Sequence, residues 1–158
     1  MTVRSHVAYV GSPRAIAQQF RPVMKDTLQD GGEYWHGKIL PRHFGTGAAS
    51  RYDYAKRSKF YEIKKRRARG HGRPLEWYGD LKRQVLQRAT VSGTAKSARV
   101  RIRGPKHLYA YRKDYRQPDK AAELTATNAA DRRELARKVL EFATARLERI
   151  KTHETVRV

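Results

Sequence analysis

The stretch over residues 43–86 sets the strictest limits on how this chain can fold. Nine lysines and arginines fall between positions 56 and 73, and tyrosine and phenylalanine side chains precede them or lie among them. The glycines and proline of residues 70–74 must then interrupt any helix, because glycine tolerates positive φ and proline cannot continue a helix. We therefore predict a basic central helix over about 46–68, followed by a turn.

Helical spacing organises the side chains of this stretch. Tyr54 and Tyr61 share one face of the predicted helix. The hydroxyl of Thr46 can accept a hydrogen bond from a free amide of the first turn, which makes Thr46 the expected N-cap. After the turn, residues 74–79 bend and return Trp77 to the body of the fold. A short apolar helix is expected to follow.

The same stretch carries a family resemblance. Its letters HFG…A…RYDYAKRSKFYEIKKR…GHGRPLEWYGDLKRQVL are similar to a pattern in neck and tail-completion proteins of long-tailed bacteriophages. In those proteins a PL…G.L segment follows a basic, tyrosine-containing helix. Here the segment is PLEWYGDL at 74–81, with Tyr78 where the related virion-morphogenesis pattern has threonine.

The resemblance implies a virion structural protein at the head–tail junction, as a neck, connector or tail-completion component. Such a protein is assembled in the host cytoplasm and resides in the virion. It forms part of a homo-oligomeric ring through which genomic DNA passes. The implied partners are other neck, portal-side and tail-tube proteins, with double-stranded DNA in the channel.

Charge is the strongest compositional signal. The chain has 36 basic and 15 acidic residues, for a net charge of +21. Such self-repulsion favours an anionic neighbour, which can be nucleic acid, an anionic membrane surface or a ring of acidic protein. No run approaches the roughly 20 apolar residues of a membrane span, so we expect a soluble or peripheral protein, and no membrane is among its expected partners. The absence of cysteine excludes disulfides and cysteine-based zinc sites.

The sequence offers no convincing active site. It contains neither a phosphate-loop signature nor a glycine-rich dinucleotide motif. The histidines lack the spacing of metal ligands, and the acids of the central stretch are scattered rather than clustered as metal-dependent hydrolysis requires. We therefore expect a protein that is not an enzyme and that has no metal and no cofactor.

The remaining patterns predict an α+β fold in a single domain over 1–158. The expected architecture is a small antiparallel sheet of two to four strands packed by N-terminal, central and long C-terminal helices. The predicted elements are a strand over 3–10, a helix from Pro13 to about 29 closed by residues 30–32 and kinked or divided at Pro22, strands over 89–93, 98–104 and 107–115, a loop over about 113–127, a helix over about 129–151 and a frayed tail over 152–158.

The last helix is the clearest of these elements. Asn128 can cap it, and carboxylates follow in its first turns, where they suit the positive end of the helix dipole. Apolar residues at helical spacing predict its buried stripe. The members of that stripe are Leu135, Val139, Leu140, Ala143, Leu147 and Ile150.

Two sets of residues are candidates for binding. Those expected to contact nucleic acid or an acidic partner are Arg57, Lys64, Lys65, Arg66, Arg67, Arg99, Arg101 and Arg103. Those expected to dock subunits are Trp77, Tyr109 and Tyr111. A solvated basic face, phosphate contact and docking to acidic subunits all fit such residues. The alternative function is a non-catalytic basic nucleic-acid-binding module of the ribosome-associated or nucleoid type.

Overall fold

A computed structural model describes residues 13–105 and 119–154. Its fold is α+β and mostly helical, with a two-stranded antiparallel sheet and a long C-terminal helix, which confirms the predicted fold class. The elements are α1 (Pro13–Tyr34), a π-helical turn (Trp35–Ile39), a 3-10 helix (Leu40–Phe44), α2 (Ala48–Arg51), α3 (Lys59–Arg69), α4 (Asp80–Gln87), β1 (Ala89–Gly93), β2 (Ala98–Ile102), α5 (Lys120–Thr125) and α6 (Ala129–Glu154). The strands predicted over 3–10 and 107–115 lie outside the described residues.

Helix α1 continues through the two glycines that were predicted to close it. A Cβ added to Gly31 would lie 2.7 Å from Val139 of α6, and one added to Gly32 would lie 2.8 Å from Val91 of β1. Both glycines are therefore required by the close approach of α1 to its neighbours. The predicted helix end at residues 30–32 is wrong, and Pro22 lies inside one continuous helix.

The central helix predicted over 46–68 is wrong in its first half. The chain leaves helical geometry after α2, where Asp53 has a φ of 51°, and α3 begins only at Lys59. Tyr52 and Tyr54 are both buried in the same cluster. On a helix their side chains would point about 160° apart, so both reach the core only because the chain unwinds between them.

The ends of α2 and α3 show which predicted caps form. Ser58, and not Thr46, supplies a side-chain cap, because its hydroxyl accepts a hydrogen bond from the amide of Tyr61 at 3.2 Å. The N-cap of α2 is Gly47, which has no side chain to contribute. Gly70 ends α3 in the left-handed conformation with a φ of 70°, which confirms the predicted stop.

The loop predicted over 113–127 contains helix α5 in its described part. Asp119 begins this helix by accepting hydrogen bonds from two first-turn amides, each at 3.0 Å. Asn128 caps α6 as predicted, with its side-chain oxygen 2.7 Å from the amide of Asp131. Helix α6 continues to Glu154, so residues 152–154 of the predicted tail are helical. Residues 155–158 and the predicted loop residues 113–118 lie outside the described part.

Helix α6 packs along α1 through a half-buried stripe. Leu135 and Val139 belong to this stripe as predicted, and so do Ala143 and Leu147. Leu140 does not, since it is 66% exposed and lies one residue's rotation away from the contact with α1. The side chain of the sixth predicted member, Ile150, lies outside the described part.

The hairpin of β1 and β2 covers the other side of α1. Val91 pairs with Val100, and both are half-buried, whereas Thr90 pairs with Arg101 on the exposed face. The main core lies beside the 3-10 helix. Its buried members are Leu40, Phe44, Leu81, Val85 and Leu124. In the described parts of the chain, no helix has the length and apolarity that crossing a membrane requires.

Candidate nucleic-acid and partner interface

Arg42, Arg51, Asp131 and Glu134 form an ion-paired cluster, the carboxylate seam. Arg42 donates to Asp131 at 2.8 Å and to Glu134 at 2.6 Å. Arg51 donates to the same oxygen of Asp131 at 2.8 Å, and the hydroxyl of Tyr34 donates to Glu134 at 2.7 Å. The Asp131 side chain is wholly buried. The seam therefore fixes the start of α6 against the segment that links α1 to α2.

The carboxylates of the seam remain ionised at neutral pH. Burial opposes the charge of Asp131, but Tyr52, Arg42 and Arg51 together hold its pKa below the ordinary value. Hydrogen bonds from Arg42 and then Tyr34 lower the pKa of Glu134 to about 2. This cluster was not among the predicted sites. The only signal for it is the spacing of the two carboxylates, three residues apart in the first turns of one helix.

A stack of neutral rings adjoins the seam. His43 is completely buried, and its ring stacks on Tyr52 with centroids 3.8 Å apart. Its Nδ1 lies 2.5 Å from the hydroxyl of Tyr54. Burial lowers the pKa of His43 to about 4 and raises that of Tyr52 to about 12. These rings are therefore uncharged at neutral pH and act as core.

Arg57 is turned inward, contrary to the predicted contact role. Its guanidinium donates to both carboxylate oxygens of Glu123 on α5, at 2.9 and 2.5 Å. The side chains are 22% and 9% exposed, respectively. Two nitrogens of the guanidinium thus bind the two oxygens of one carboxylate, which is the strongest geometry for an arginine–carboxylate pair. Arg57 thus ties the segment between α2 and α3 to α5.

Lys65 is also not a surface residue. It is 4% exposed, and its ammonium donates a hydrogen bond to the backbone carbonyl of Arg73. Burial, with a further contribution from Arg57, lowers the pKa of the amine. The lysine lies on the inner face of α3 and fastens the following turn to that helix. Its predicted role in contacting a partner is replaced by a structural one.

The other predicted contact residues of α3, which are Lys64, Arg66 and Arg67, are exposed. Arg67 lies on the side of the helix opposite Lys65, and Lys64 lies on the flank next to that side, whereas Arg66 lies on the other flank at the edge of a cavity. Phe60 and Ile63 share the side of Lys64 and Arg67. Neither Phe60 nor Ile63 was predicted to be a contact residue, although helical spacing places both on this side.

The cavity at this edge has a volume of about 460 Å³ and lies between α3 and the turn over 70–79. Tyr54, Tyr61, Lys65 and Glu76 are among the residues that line it. One carboxylate oxygen of Glu76 is buried and has no hydrogen-bond partner within the described structure. Acidic, basic and aromatic groups are thus mixed here. Within 13–105 and 119–154, no group of three potential metal ligands is placed to hold an ion.

Trp77 forms a wall of this cavity rather than a freely exposed docking residue. Its ring lies 5.5 Å from that of Tyr61, and it meets Tyr78 edge-on at 6.4 Å. Arg69 stacks on Tyr78 with its guanidinium carbon 3.8 Å from the ring centroid. The other two predicted docking residues, Tyr109 and Tyr111, lie outside the described residues.

The hairpin presents the clearest basic surface. Arg99 and Arg101 project from the exposed face of β2, and Arg103 is exposed just beyond the end of that strand. We call these three the hairpin arginines. Their neighbours across the sheet are Ser92 and Thr90, which leave the face free of acidic side chains. Val100 and Ile102 alternate with these arginines and are half-buried, so the strand has a basic outer face.

The structure thus separates the predicted contact residues into three groups. Lys64, Arg66 and Arg67 are exposed on α3, the hairpin arginines are exposed on the sheet, and Arg57 and Lys65 are internal. The exposed members of the predicted contact set therefore lie on two different elements, α3 and the hairpin. Comparison of the chain with protein-family models, with curated proteins and with solved structures gave no match in any of the three.

Proposed function

We propose that this chain is a structural protein of the head–tail junction of a tailed bacteriophage, forming part of a ring through which genomic DNA passes. The resemblance of residues 43–86 to neck and tail-completion proteins motivates this proposal. The observation that supports it best is the row of hairpin arginines, which is exposed and whose paired neighbours in the described hairpin, Ser92 and Thr90, are not acidic. No catalytic role is proposed.

The row of hairpin arginines suits contact with a DNA backbone. Successive outward residues of a strand lie about 7 Å apart. That distance is about twice the axial rise of 3.4 Å per phosphate along one DNA strand. A sheet face with arginines at this spacing can neutralise phosphates without reading base edges. Sequence-independent contact is what a DNA conduit requires.

Contacts between subunits and neighbouring rings account for the rest of the exposed charge. Seven acidic residues of the described part pair internally with arginine or lysine. They are Asp30, Glu76, Asp80, Glu123, Asp131, Glu134 and Glu141. The excess of positive charge therefore remains on the surface. In a ring it would be balanced by acidic neighbouring proteins as well as by DNA.

The second candidate is a basic nucleic-acid-binding module outside any virion. The hairpin arginines favour it equally, because phosphate contact is common to both functions. The two differ in their partners. A module of this kind needs only nucleic acid, whereas a neck protein also assembles with virion proteins into a ring.

Mass spectrometry of purified virions from a lysate of the source tests the proposal. The neck function predicts this chain in intact particles, in several copies per virion, at a constant ratio to the portal protein. A chain that is absent from intact particles but bound to nucleic acid in the lysate would replace the neck function with the second candidate.

A further inference from the structure

We call one side of α3 its outer face, and its residues are Phe60, Ile63, Lys64 and Arg67. On this face, exposed apolar side chains lie beside basic ones. Phe60 is 77% exposed and Ile63 is 51% exposed, although both are strongly apolar. They lie three residues apart and therefore adjoin on one side of the helix, with the two basic side chains one turn further on. Lys65, on the opposite side, is 4% exposed. The helix therefore packs its inner face, and the described part of the chain does not cover its apolar and basic outer face.

We propose that the outer face of α3 docks into an apolar groove rimmed by aspartate and glutamate on a different protein of the assembly. This inference rests on the proposed function for the setting of the partner. An exposed phenylalanine supplies a large contact area and is a residue type enriched in interface cores. Lysine and arginine at the margin fix orientation by pairing with acidic side chains. A helix laid in a groove is a common geometry for such recognition.

Charge decides between this occupant and a second copy of the chain. The only acid of α3 is Glu62, and it lines the cavity rather than the outer face. Two copies meeting through this face about a two-fold axis would bring their basic side chains together, because such an interface uses the same patch on both subunits. A head-to-tail contact in a ring would set this face against another surface of the next copy, where seven acidic residues of the described part are already paired within their own chain. Like charges at an interface oppose association. The partner must therefore carry the opposite charge.

The exposed side chains of Phe60 and Ile63 indicate that the partner of this face is a protein and not DNA. Phosphates can pair with Lys64 and Arg67, but they offer no surface that covers Phe60 and Ile63. The hairpin arginines show the contrast, because their face carries only hydroxyl side chains between the charges. We therefore assign phosphate contact to the hairpin and protein docking to the outer face of α3.

Photo-cross-linking in cells that assemble virions tests this assignment. The photoreactive phenylalanine analogue p-benzoylphenylalanine replaces Phe60 in the full chain, and the matched control carries it at Tyr78, which is 71% exposed but lies beyond the outer face. We expect the position 60 product to contain a peptide of a different protein, rich in aspartate and glutamate, that the position 78 chain does not yield. The charge-reversed variant K64E/R67E should lower the yield of that product about tenfold or more, as unlike pairs become like pairs.

Other outcomes at position 60 would overturn the assignment. These are a product with a second copy of the chain, with DNA or with phospholipid, or no product in a chain whose circular dichroism matches the parent. The proposed function is tested separately by incorporation into virions. A chain found in virions that cross-links only to itself contradicts this inference alone. A chain absent from virions that cross-links to an acidic protein contradicts the neck function alone.

Discussion

Arginine is used in two ways in this molecule, in the carboxylate seam and in the hairpin arginines. Arg42 and Arg51 of the seam converge on one buried carboxylate at 2.8 Å, so their charge is matched inside the fold. The hairpin arginines face solvent beside threonine and serine. The residue type is the same, but the seam holds elements together whereas the hairpin leaves charge available to a partner. Net charge alone therefore overstates the surface available for binding and misplaces part of it.

The largest expected loss of stability follows the removal of the Asp131 carboxylate. The substitution Asp131→Ala removes the buried carboxylate and leaves two guanidinium groups without it, which should lower the free energy of unfolding by about 3 kcal/mol. For a domain of this size, that loss corresponds to a fall in Tm of about 8 °C. Urea unfolding and differential scanning calorimetry measure the two quantities.

Asp80→Ala is the matched control for Asp131→Ala. Asp80 also pairs with an arginine, but its side chain is 52% exposed and that of Arg83 is 65% exposed. Its removal should change stability by less than about 0.5 kcal/mol, since exposed pairs contribute little. Equal losses in the two variants would show that the seam is no more important than a surface pair.

Replacement of Arg57 should cost less stability than replacement of Asp131 but more than replacement of the exposed Arg99. Arg57→Ala removes the bidentate bond to Glu123 and should cost about 2 kcal/mol, the range of hydrogen bonds between charged groups. Arg99→Ala should change stability by less than about 0.5 kcal/mol, as expected for a surface position. Chemical denaturation of both variants measures the difference. A greater loss for Arg99→Ala would reverse the assignment of internal and external arginines.

Acid should weaken the fold in two steps. His43 has its pKa lowered from 6.5 to about 4, so the unfolded chain binds a proton first, and the stability that His43 contributes declines as the pH falls from 6.5 toward 4. The pKa of Glu134 is lowered from 4.5 to about 2, so its contribution is present above pH 4.5 and declines below it. The unfolding free energy measured from pH 8 to pH 3 tests both signs.

The variant His43→Gln isolates the first of these steps. Because glutamine does not titrate, the dependence of stability on pH between 6.5 and 4 should be shallower than in the parent, whatever the loss of packing does to absolute stability. An unchanged slope in this range would show that another group is responsible. Replacement of the exposed Lys64 by glutamine should leave the slope as it is.

The smallest effect on stability, and a large effect on binding, is expected at the hairpin. The triple variant R99Q/R101Q/R103Q should stay within about 0.5 kcal/mol of the parent. If each arginine neutralises one phosphate, the slope of log affinity for duplex DNA against log salt should become shallower by about 3. The variant K64Q/R67Q should change that slope less. A larger change for K64Q/R67Q would move the DNA contact from the hairpin to α3.

The sequence predicts the elements that depend on local signals. Period-two alternation of valine and arginine identifies β2, and Asn128 with an apolar stripe identifies α6. Gly70 identifies the end of α3 because few other residues adopt its positive φ. All three signals are contained in short segments, so no tertiary information is needed to read them.

The errors occur where a distant contact overrides the local signal. Gly31 reads as a helix end, but it lies inside α1 and is glycine because Val139 approaches too closely for a side chain. Arg57 and Lys65 read as surface charge, yet Glu123 and the carbonyl of Arg73 hold them inside. The partners in these contacts are 108, 66 and 8 residues away, and only the last lies within the motif. Tertiary contacts therefore decide which basic residues are free to bind.

Electron cryomicroscopy of the neck in intact virions is the most direct test of the proposed division between internal and external charge. We predict a ring of this chain in which the hairpin arginines face the DNA channel and the outer face of α3 contacts a different protein, while the carboxylate seam stays inside each subunit. A neck without this chain, or a ring in which the hairpin points away from the DNA, would contradict the account.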